Sequence, residues 1–212
     1  MDESNKTVTR IVGGGHATWK DGEFFVWNIP GMNLPMYTYI EIIELLRKEC
    51  PKIDQILYAV GEKQSVLAAD YMKNKFGIKR AADQINSVLQ QTALLGFGEL
   101  KCVKCNLEEG VALYKNEKSP FAKYLRQMYG LTATAVDAYL SGILAGTLQA
   151  VTGKVLVCIE TKCIAKGDNY CFFEIKQPKD LRDGEAHYSK LLGPEKIRGL
   201  GKEKSMISSA NQ

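Results

Sequence analysis

Three side chains in the last third of this sequence could together bind a metal ion: Glu160, Cys163 and Cys171. Cysteine thiolates and carboxylates are both zinc ligands. Residues 160–174 have the pattern of a hairpin centred on Gly167, and both cysteines lie four residues from that centre. A hairpin of this kind places their Cβ atoms about 4.5 to 5.5 Å apart on one face. That separation allows both sulfurs to bind one zinc at about 2.3 Å.

Glu160 can join this pair only if the strand is irregular. It precedes Cys163 by three residues, and side chains three apart in a regular strand point to opposite faces. A bend or bulge near Thr161 is therefore required. The residues alone leave two other interpretations open for the cysteines, a cross-strand disulfide or two small buried side chains. Cys158 is a further possible ligand, because it lies on the same strand face as Glu160.

Helices and hairpins are grouped along the chain rather than strictly alternating, which predicts an α+β fold with an antiparallel sheet. The turn signal Lys20-Asp21-Gly22 indicates a hairpin, and Pro30 and Gly31 indicate a break after it. Apolar spacing and turn residues predict helices at about 40–50, 53–76, 80–95, 119–130 and 132–151, and strands at about 99–107, 111–115, 154–160, 163–165 and 170–175.

Two of these predicted helices have distinctive faces. The helix at 53–76 carries an apolar stripe that includes Ile56, Val60 and Leu67, which we expect to face the core. The helix at 132–151 carries small residues three and four apart, among them Gly142 and Gly146. Their spacing predicts a smooth face that another element can approach closely.

Composition narrows the classes of function. The 212 residues carry a net charge of only +4, and residues from 176 onward supply most of it. The nearly neutral body argues against a nucleic-acid surface, which needs clustered cations. The apolar run at 138–151 is shorter than the roughly 20 residues of a membrane span, so we expect no membrane insertion. The N-terminus has no apolar signal segment, which predicts a cytoplasmic protein with reduced cysteines.

Other motifs have weaker contexts. Cys102 and Cys105 have CxxC spacing, but they lie in a predicted strand, where residues three apart face opposite sides, and not at a helix N-terminus. We therefore assign them no function. His16 and His187 lack sequence partners for a catalytic triad. The chain has no recognisable nicotinamide or flavin motif, so catalysis is not the favoured interpretation.

The segment 137–175 resembles the 4-vinyl reductase domain family. The matching residues are Ser141-Gly142, Gly146, Gly153, Glu160, Cys163, Gly167-Asp168, Cys171 and Phe173. This family is related in fold to the vesicle-tethering subunits of the TRAPP complex and to the aromatic-sensing domains of bacterial transcription activators. The resemblance implies one domain at 13–177, between an N-terminal arm at 1–12 and a polar basic tail at 178–212.

The fold that this resemblance implies is that of the ligand-binding proteins of NO signalling and Golgi transport. In it, helices pack on a small antiparallel sheet around an apolar cavity, usually in a homodimer. In the aromatic sensors, zinc is held by the glutamate, both hairpin cysteines and a cysteine of the preceding helix. That fourth position corresponds to Asp137 in this chain, so the resemblance implies a zinc site of Glu160, Cys163, Cys171 and Asp137. It implies pocket residues Tyr114, Phe121 and Cys158.

The function expected from this resemblance is non-catalytic. The chain is expected to bind or sense a small hydrophobic or aromatic molecule, with a structural zinc. One alternative is an accessory or carrier protein for the reduction of a tetrapyrrole vinyl group. Another is an assembly scaffold that resembles the TRAPP subunits.

Overall fold

The structure is a computed structural model that describes residues 17–26 and 29–181, with only the backbone described at 29 and 30. The expected N-terminal arm, both histidines and the tail beyond 181 lie outside these residues. The described part of the chain contains α-helices and two antiparallel sheets, which confirms the predicted α+β class. The expected apolar cavity remains a prediction.

The first sheet is a small three-stranded meander. Its strands are β1 (Ala17–Lys20), β2 (Glu23–Val26) and β3 (Ile29–Gly31), in the order β1-β2-β3. The hairpin predicted from the Asp21-Gly22 turn is present, and Asp21 has a φ of 53° in that turn. The break expected at Pro30 and Gly31 is wrong, because both residues pair with β2. Proline is tolerated there because β3 is an edge strand.

The main body is built from five helices and a four-stranded antiparallel sheet, counted over the described residues. The helices are α1 (Met36–Glu49), α2 (Ile53–Phe76), α3 (Ala81–Leu94), α4 (Pro120–Tyr129) and α5 (Ala138–Thr152). The strands are β4 (Leu100–Asn106), β5 (Val111–Asn116), β6 (Val157–Lys162) and β7 (Cys171–Lys176), in the order β4-β5-β7-β6. Helix α5 packs between this sheet and α2.

One face of the four-stranded sheet forms the core. Strands β5 and β7 alternate strictly between buried and half-buried residues, so every second side chain points toward the core. The pairing register carries this face across to β6. The buried side chains that share it are Ala112, Tyr114, Asn116, Cys158, Glu160, Cys171, Phe173 and Ile175.

Helix α5 begins later than the sequence predicts. The prediction placed its start near Thr132, whereas the first helical residue is Ala138. Residues 131–137 are held in an irregular conformation by hydrogen bonds to β6 and to the turn that follows it. The Thr132 N–H donates to the carbonyl of Ala165 in that turn at 3.0 Å, and the Asp137 N–H donates to Glu160 Oε2 at 2.9 Å. The helix begins directly after these two bonds, with Asp137 as its N-cap.

The backbones of α2 and α5 are in direct contact. A Cβ atom added at Gly142 would lie 2.0 Å from the Tyr58 carbonyl oxygen, and one added at Gly146 would lie 2.3 Å from that of Glu62. On the facing helix, a Cβ atom at Gly61 would lie 2.2 Å from the Tyr139 carbonyl oxygen. The smooth face predicted for α5 is therefore present, and its partner is α2.

This contact rotates α2 away from the predicted orientation. Ile56, Val60 and Leu67, which we expected in the core, are 48%, 51% and 46% exposed. The buried face of α2 instead carries Tyr58, Gly61, Glu62, Ser65, Ala68, Ala69 and Met72. The small residues of this face allow a helix-to-helix approach that the larger apolar stripe would prevent.

We predict that Gly142→Ala destabilises the protein. Alanine favours a helix over glycine by about 1 kcal/mol, but its methyl group would overlap the Tyr58 carbonyl. The steric overlap should outweigh the gain in helix propensity and lower the free energy of unfolding by about 3 kcal/mol, as measured by urea denaturation. The exposed α5 substitution Ala150→Ser should change it by less than about 0.5 kcal/mol. Equal stability of the Gly142→Ala variant and the wild type would show that the helices can separate without cost.

Candidate functional site

A β-bulge brings Glu160 and Cys163 to the same side of the chain. In the β6–β7 ladder, Glu160 pairs with Phe173 and Lys162 pairs with Phe172, so Thr161 is an extra residue. After this extra residue, each side chain points to the face opposite to the one it would have in a regular strand. Cys163 continues in an extended conformation, with φ −143° and ψ 129°. The irregularity that the sequence analysis required near Thr161 is thus present.

The turn between the two cysteines is tighter than a simple hairpin. Residues Ile164–Lys166 form one turn of 3-10 helix, which corrects the strand predicted at 163–165. Gly167 has a φ of 105°, in the region that glycine adopts without strain. Asp168 Oδ2 accepts the Cys163 N–H at 2.8 Å. The Gly167-Asp168 pair therefore reverses the chain and fixes the backbone of Cys163.

Glu160, Cys163 and Cys171 form one buried cluster. One carboxylate oxygen and the two sulfurs all lie within 4.8 Å of one another. Atoms that share a tetrahedral zinc are about 3.5 to 4 Å apart, so small side-chain adjustments suffice to bind one ion. The Ile164 N–H donates to Cys171 Sγ at 3.4 Å, a contact that stabilises sulfur as a thiolate ligand.

The two thiols of this cluster differ in acidity. A hydrogen bond from Cys171 lowers the pKa of Cys163 to about 6. The same bond, together with burial, raises the pKa of Cys171. One thiol therefore ionises readily while the other retains its proton until a cation replaces the shared hydrogen bond.

Two buried carboxyl groups meet at this site. Burial raises the pKa of Glu160 well above its usual value, and nearby Cys163 raises it further. Burial also raises the pKa of Asp137, and the charge of Glu160 adds to the shift. Asp137 Oδ2 has no hydrogen-bond partner among the described residues. Two neighbouring carboxyl groups that resist ionisation are typical of a site completed by a cation.

The donors available fit zinc. Two sulfurs and a carboxylate oxygen suit this ion, and the buried Asp137 is a neighbouring fourth donor. The set of atoms within 4.8 Å does not include an Asp137 oxygen. The backbone of Asp137 contacts Glu160, so its predicted role as a ligand requires a small movement of its side chain. Cys158 also lies outside that set.

The three predicted pocket residues are all buried in one core. Tyr114, Phe121 and Cys158 belong to the same hydrophobic cluster. The Tyr114 ring projects from the core face of β5, and its hydroxyl has no hydrogen-bond partner in the described part of the chain. Burial raises the pKa of Tyr114, and the nearby sulfurs of Cys105, Cys102 and Cys158 raise it further. The Tyr114 hydroxyl is therefore a polar atom without a partner among core side chains and thiols.

A separate pocket on the surface is lined by several charged side chains. It has a volume of about 410 Å³ and lies where α4 meets the turn that follows β6. Its lining residues are Glu117, Lys118, Pro120, Lys123, Tyr124, Arg126, Ile164, Asp168 and Asn169. Its charged lining differs from the apolar cavity that the resemblance implies.

The structure corrects the interpretation of Cys102 and Cys105. The β4 register shifts between Cys102 and Lys104, which makes Val103 an extra residue. Cys102 pairs with Tyr114 and Cys105 pairs with Ala112, so both cysteines lie on the core face of the sheet. The expectation of opposite faces was wrong, because it assumed a regular strand.

Comparisons with known proteins agree with this hairpin and helix. Residues 126–177 match the model of the 4-vinyl reductase domain family. The matched segment contains α5, β6, β7 and all three clustered side chains, which confirms the resemblance drawn from the sequence. An uncharacterized protein of Methanocaldococcus jannaschii, MJ1460, is 26% identical over 126 residues, which span 59% of this chain and 67% of that protein.

Solved structures are also similar to this chain. The phenol-responsive sensory domain of the transcription activator PoxR, with phenol, has a TM-score of 0.74 at 16% identity, covering 92% of this chain and 99% of that one. A vinyl-4-reductase family protein of Methanocaldococcus jannaschii has a TM-score of 0.49 at 20% identity, covering 69% and 83%. Trafficking protein particle complex subunit 3 of Naegleria fowleri, covalently bound to palmitic acid, has a TM-score of 0.47 at 16% identity, covering 70% and 95%.

The likeness to the sensory domain supports the fold over nearly the full length of both chains. No helix in the described segments is both long and apolar enough to cross a bilayer.

We predict that metal-free protein loses stability as the pH rises from about 4, the ordinary pKa of a carboxyl group, to about 6, above which ionisation of Cys163 opposes the trend. The raised pKa values of Glu160 and Asp137 mean that the folded state keeps protons which the unfolded chain releases. Stability is therefore greatest below the unfolded pKa values and falls as the pH approaches the folded ones. Urea denaturation of chelator-treated protein at several pH values measures this slope.

Two variants test whether the buried carboxyl groups cause this dependence of stability on pH. Asp137→Asn removes one titrating group and should flatten the dependence, whereas Glu49→Gln, at an exposed residue of α1, should leave it unchanged. Stability that rises with pH over this range, or an unchanged slope in Asp137→Asn, would contradict the assignment.

Proposed function

We propose that this chain is a non-catalytic binding domain for a small, mostly apolar molecule that carries one hydroxyl group. The observation that carries the proposal is the Tyr114 hydroxyl, which is buried and has no hydrogen-bond partner among the described residues. A buried polar group without a partner costs about 1 to 3 kcal/mol. Such a group in a folded protein is usually satisfied by water or a ligand.

The surroundings of Tyr114 define the class of molecule. The hydrophobic cluster to which it belongs also contains Phe121, Leu125, Leu140 and Leu144, so a ligand bound within this core would contact mostly apolar side chains. A phenol combines an apolar ring with one hydroxyl and matches this combination. The PoxR sensory domain, which shares the fold, was solved with phenol.

We predict that Tyr114→Phe weakens the binding of phenol, used as the probe, by about tenfold. The change removes one hydrogen bond worth about 1.4 kcal/mol but keeps the ring. Titration calorimetry measures the affinity, and toluene, which lacks the hydroxyl, should bind both proteins equally. The variant without ligand should be at least as stable as the wild type, because the unsatisfied group is gone.

The exposed substitution Tyr37→Phe provides the matched control and should leave phenol binding unchanged. Phenol binding to the wild type that is undetectable at millimolar concentration, or equal in Tyr114→Phe, would contradict this role of Tyr114.

We further propose that the Glu160, Cys163 and Cys171 cluster holds a structural zinc, with Asp137 as the fourth ligand. Four protein ligands leave no open position for water, which favours a structural over a catalytic role. The bound ion would fasten the β6–β7 turn to the start of α5, because Glu160 already accepts the Asp137 N–H. Such a brace would keep α5 in position over the core that contains Tyr114.

We predict one zinc per chain in protein purified without added metal, as measured by native mass spectrometry. Cys171→Ser should lose the ion, and the matched control Cys50→Ser should keep it, because Cys50 lies outside the cluster. A chelator should lower the melting temperature of the wild type and of Cys50→Ser by several degrees, since each kcal/mol corresponds to about 2 to 4 °C at this size. Zinc-free protein whose six thiols all react in the folded state would overturn the site.

The exposed apolar side chains of α2 support a homodimer. Ile56, Val60 and Leu67 lie on one face of the helix, opposite the contact with α5, and exposed apolar patches of this kind mark interfaces. We propose that a second copy covers this face. Light scattering should give the mass of a dimer for the wild type and a monomer for Val60→Lys. The exposed control Lys79→Gln, which lies beyond the end of this helix, should stay dimeric, and a monomeric wild type would refute the proposal.

A further inference from the structure

The bulge at Val103 creates a second pair of neighbouring thiols. They lie on β4, the edge of the sheet opposite to β6, which carries Glu160. Cys102 and Cys105 are three residues apart in sequence but occupy successive positions on one face of β4. Their side chains are in contact, because the two thiols share a hydrogen bond. Both residues are exposed, and β4 is an edge strand of its sheet. An ion or reagent in solution can therefore reach both sulfurs.

The spacing of the pair suits a bridging ion better than a disulfide. Cys102 and Cys105 pair with Tyr114 and Ala112, which are two residues apart on β5. Two residues of strand span about 6.7 Å, close to the upper limit for the Cα atoms of a disulfide. A metal ion between the sulfurs adds two metal–sulfur bonds and so bridges a longer separation than a single S–S bond.

We propose that Cys102 and Cys105 form a binding site for a monovalent thiophilic metal ion of low coordination number, of which Cu(I) is the representative. Soft thiolate donors select Cu(I) among biological metals. Zinc requires four ligands, and β4 offers two sulfurs. Binding converts two thiols and one Cu(I) into a bis-thiolate complex of charge −1 and releases two protons, with no change in oxidation state.

Tyr114 provides a third contact for this complex. Its hydroxyl lies near Cys105 and Cys102, and it has no hydrogen-bond partner among the described residues. A negatively charged thiolate is a good acceptor for this O–H, and the hydrogen bond would stabilise the bound form. The phenolic oxygen keeps its lone pairs, so it can still accept a hydrogen bond from a ligand. The metal site is therefore compatible with ligand binding and does not depend on it.

The test uses the full-length, zinc-loaded, reduced protein under anaerobic conditions. Cu(I) is supplied from a competing coloured chelator, and its transfer is followed by absorbance. We expect one Cu(I) per chain without loss of zinc. Cys102→Ser and Cys105→Ser should each weaken binding by more than the roughly 100-fold that loss of an outer-shell partner costs. Cys50→Ser is the matched control and should bind like the wild type.

Alkylation identifies the residues that hold the ion. In the copper-loaded protein, iodoacetamide should modify Cys50 at the original rate but leave Cys102 and Cys105 protected, as read by peptide mass spectrometry. Equal alkylation of Cys102 and Cys105 with and without copper would overturn the proposal. If the Cys102→Ser variant still binds copper and loses zinc, the copper ion binds at Cys163 and Cys171 instead, and the proposal is wrong. A Cys102–Cys105 product two hydrogens lighter and free of copper would show that the pair forms a disulfide.

Discussion

The alternation of side chains along a β-strand is the constraint on which both groups of cysteines depend. In a regular strand, residues three apart point in opposite directions, so neither Glu160 and Cys163 nor Cys102 and Cys105 would meet. One extra residue in each strand, Thr161 in β6 and Val103 in β4, cancels this separation. Each bulge thereby brings side chains with sulfur or carboxylate atoms together, while the order of the strands in the sheet stays the same.

The buried cluster and the helix start depend on each other. Glu160 accepts the Asp137 N–H, and the chain before α5 bonds to the turn that carries Cys163. Both carboxyl groups and both thiols are withdrawn from water, a costly arrangement for groups that must ionise. A cation at their centre would compensate this cost, and it would join three segments that are distant in sequence.

The sequence predicts the elements of this fold well where one face is apolar and the other polar. Ile40, Ile43, Ile85 and Val88 follow helical periodicity and are buried as expected. The orientation of α2 could not be predicted in this way, because direct backbone contact at Gly61 and Gly142 outweighed the apolar stripe. The position of the bulge at Thr161 was indicated by the sequence, since Glu160 could join Cys163 and Cys171 only if the strand was irregular there. Val103 carries no comparable signal, and the side-chain composition of β4 does not reveal its register.

The contact of α2 with α5 also determines how motion can spread through the molecule. Where side chains separate two helices, rotamer changes absorb small displacements. At Gly61, Gly142 and Gly146 the main chains themselves touch, so no such flexible layer exists. A displacement of α5 at these glycines therefore presses directly on the backbone of α2, with no side chain between the two helices to absorb it.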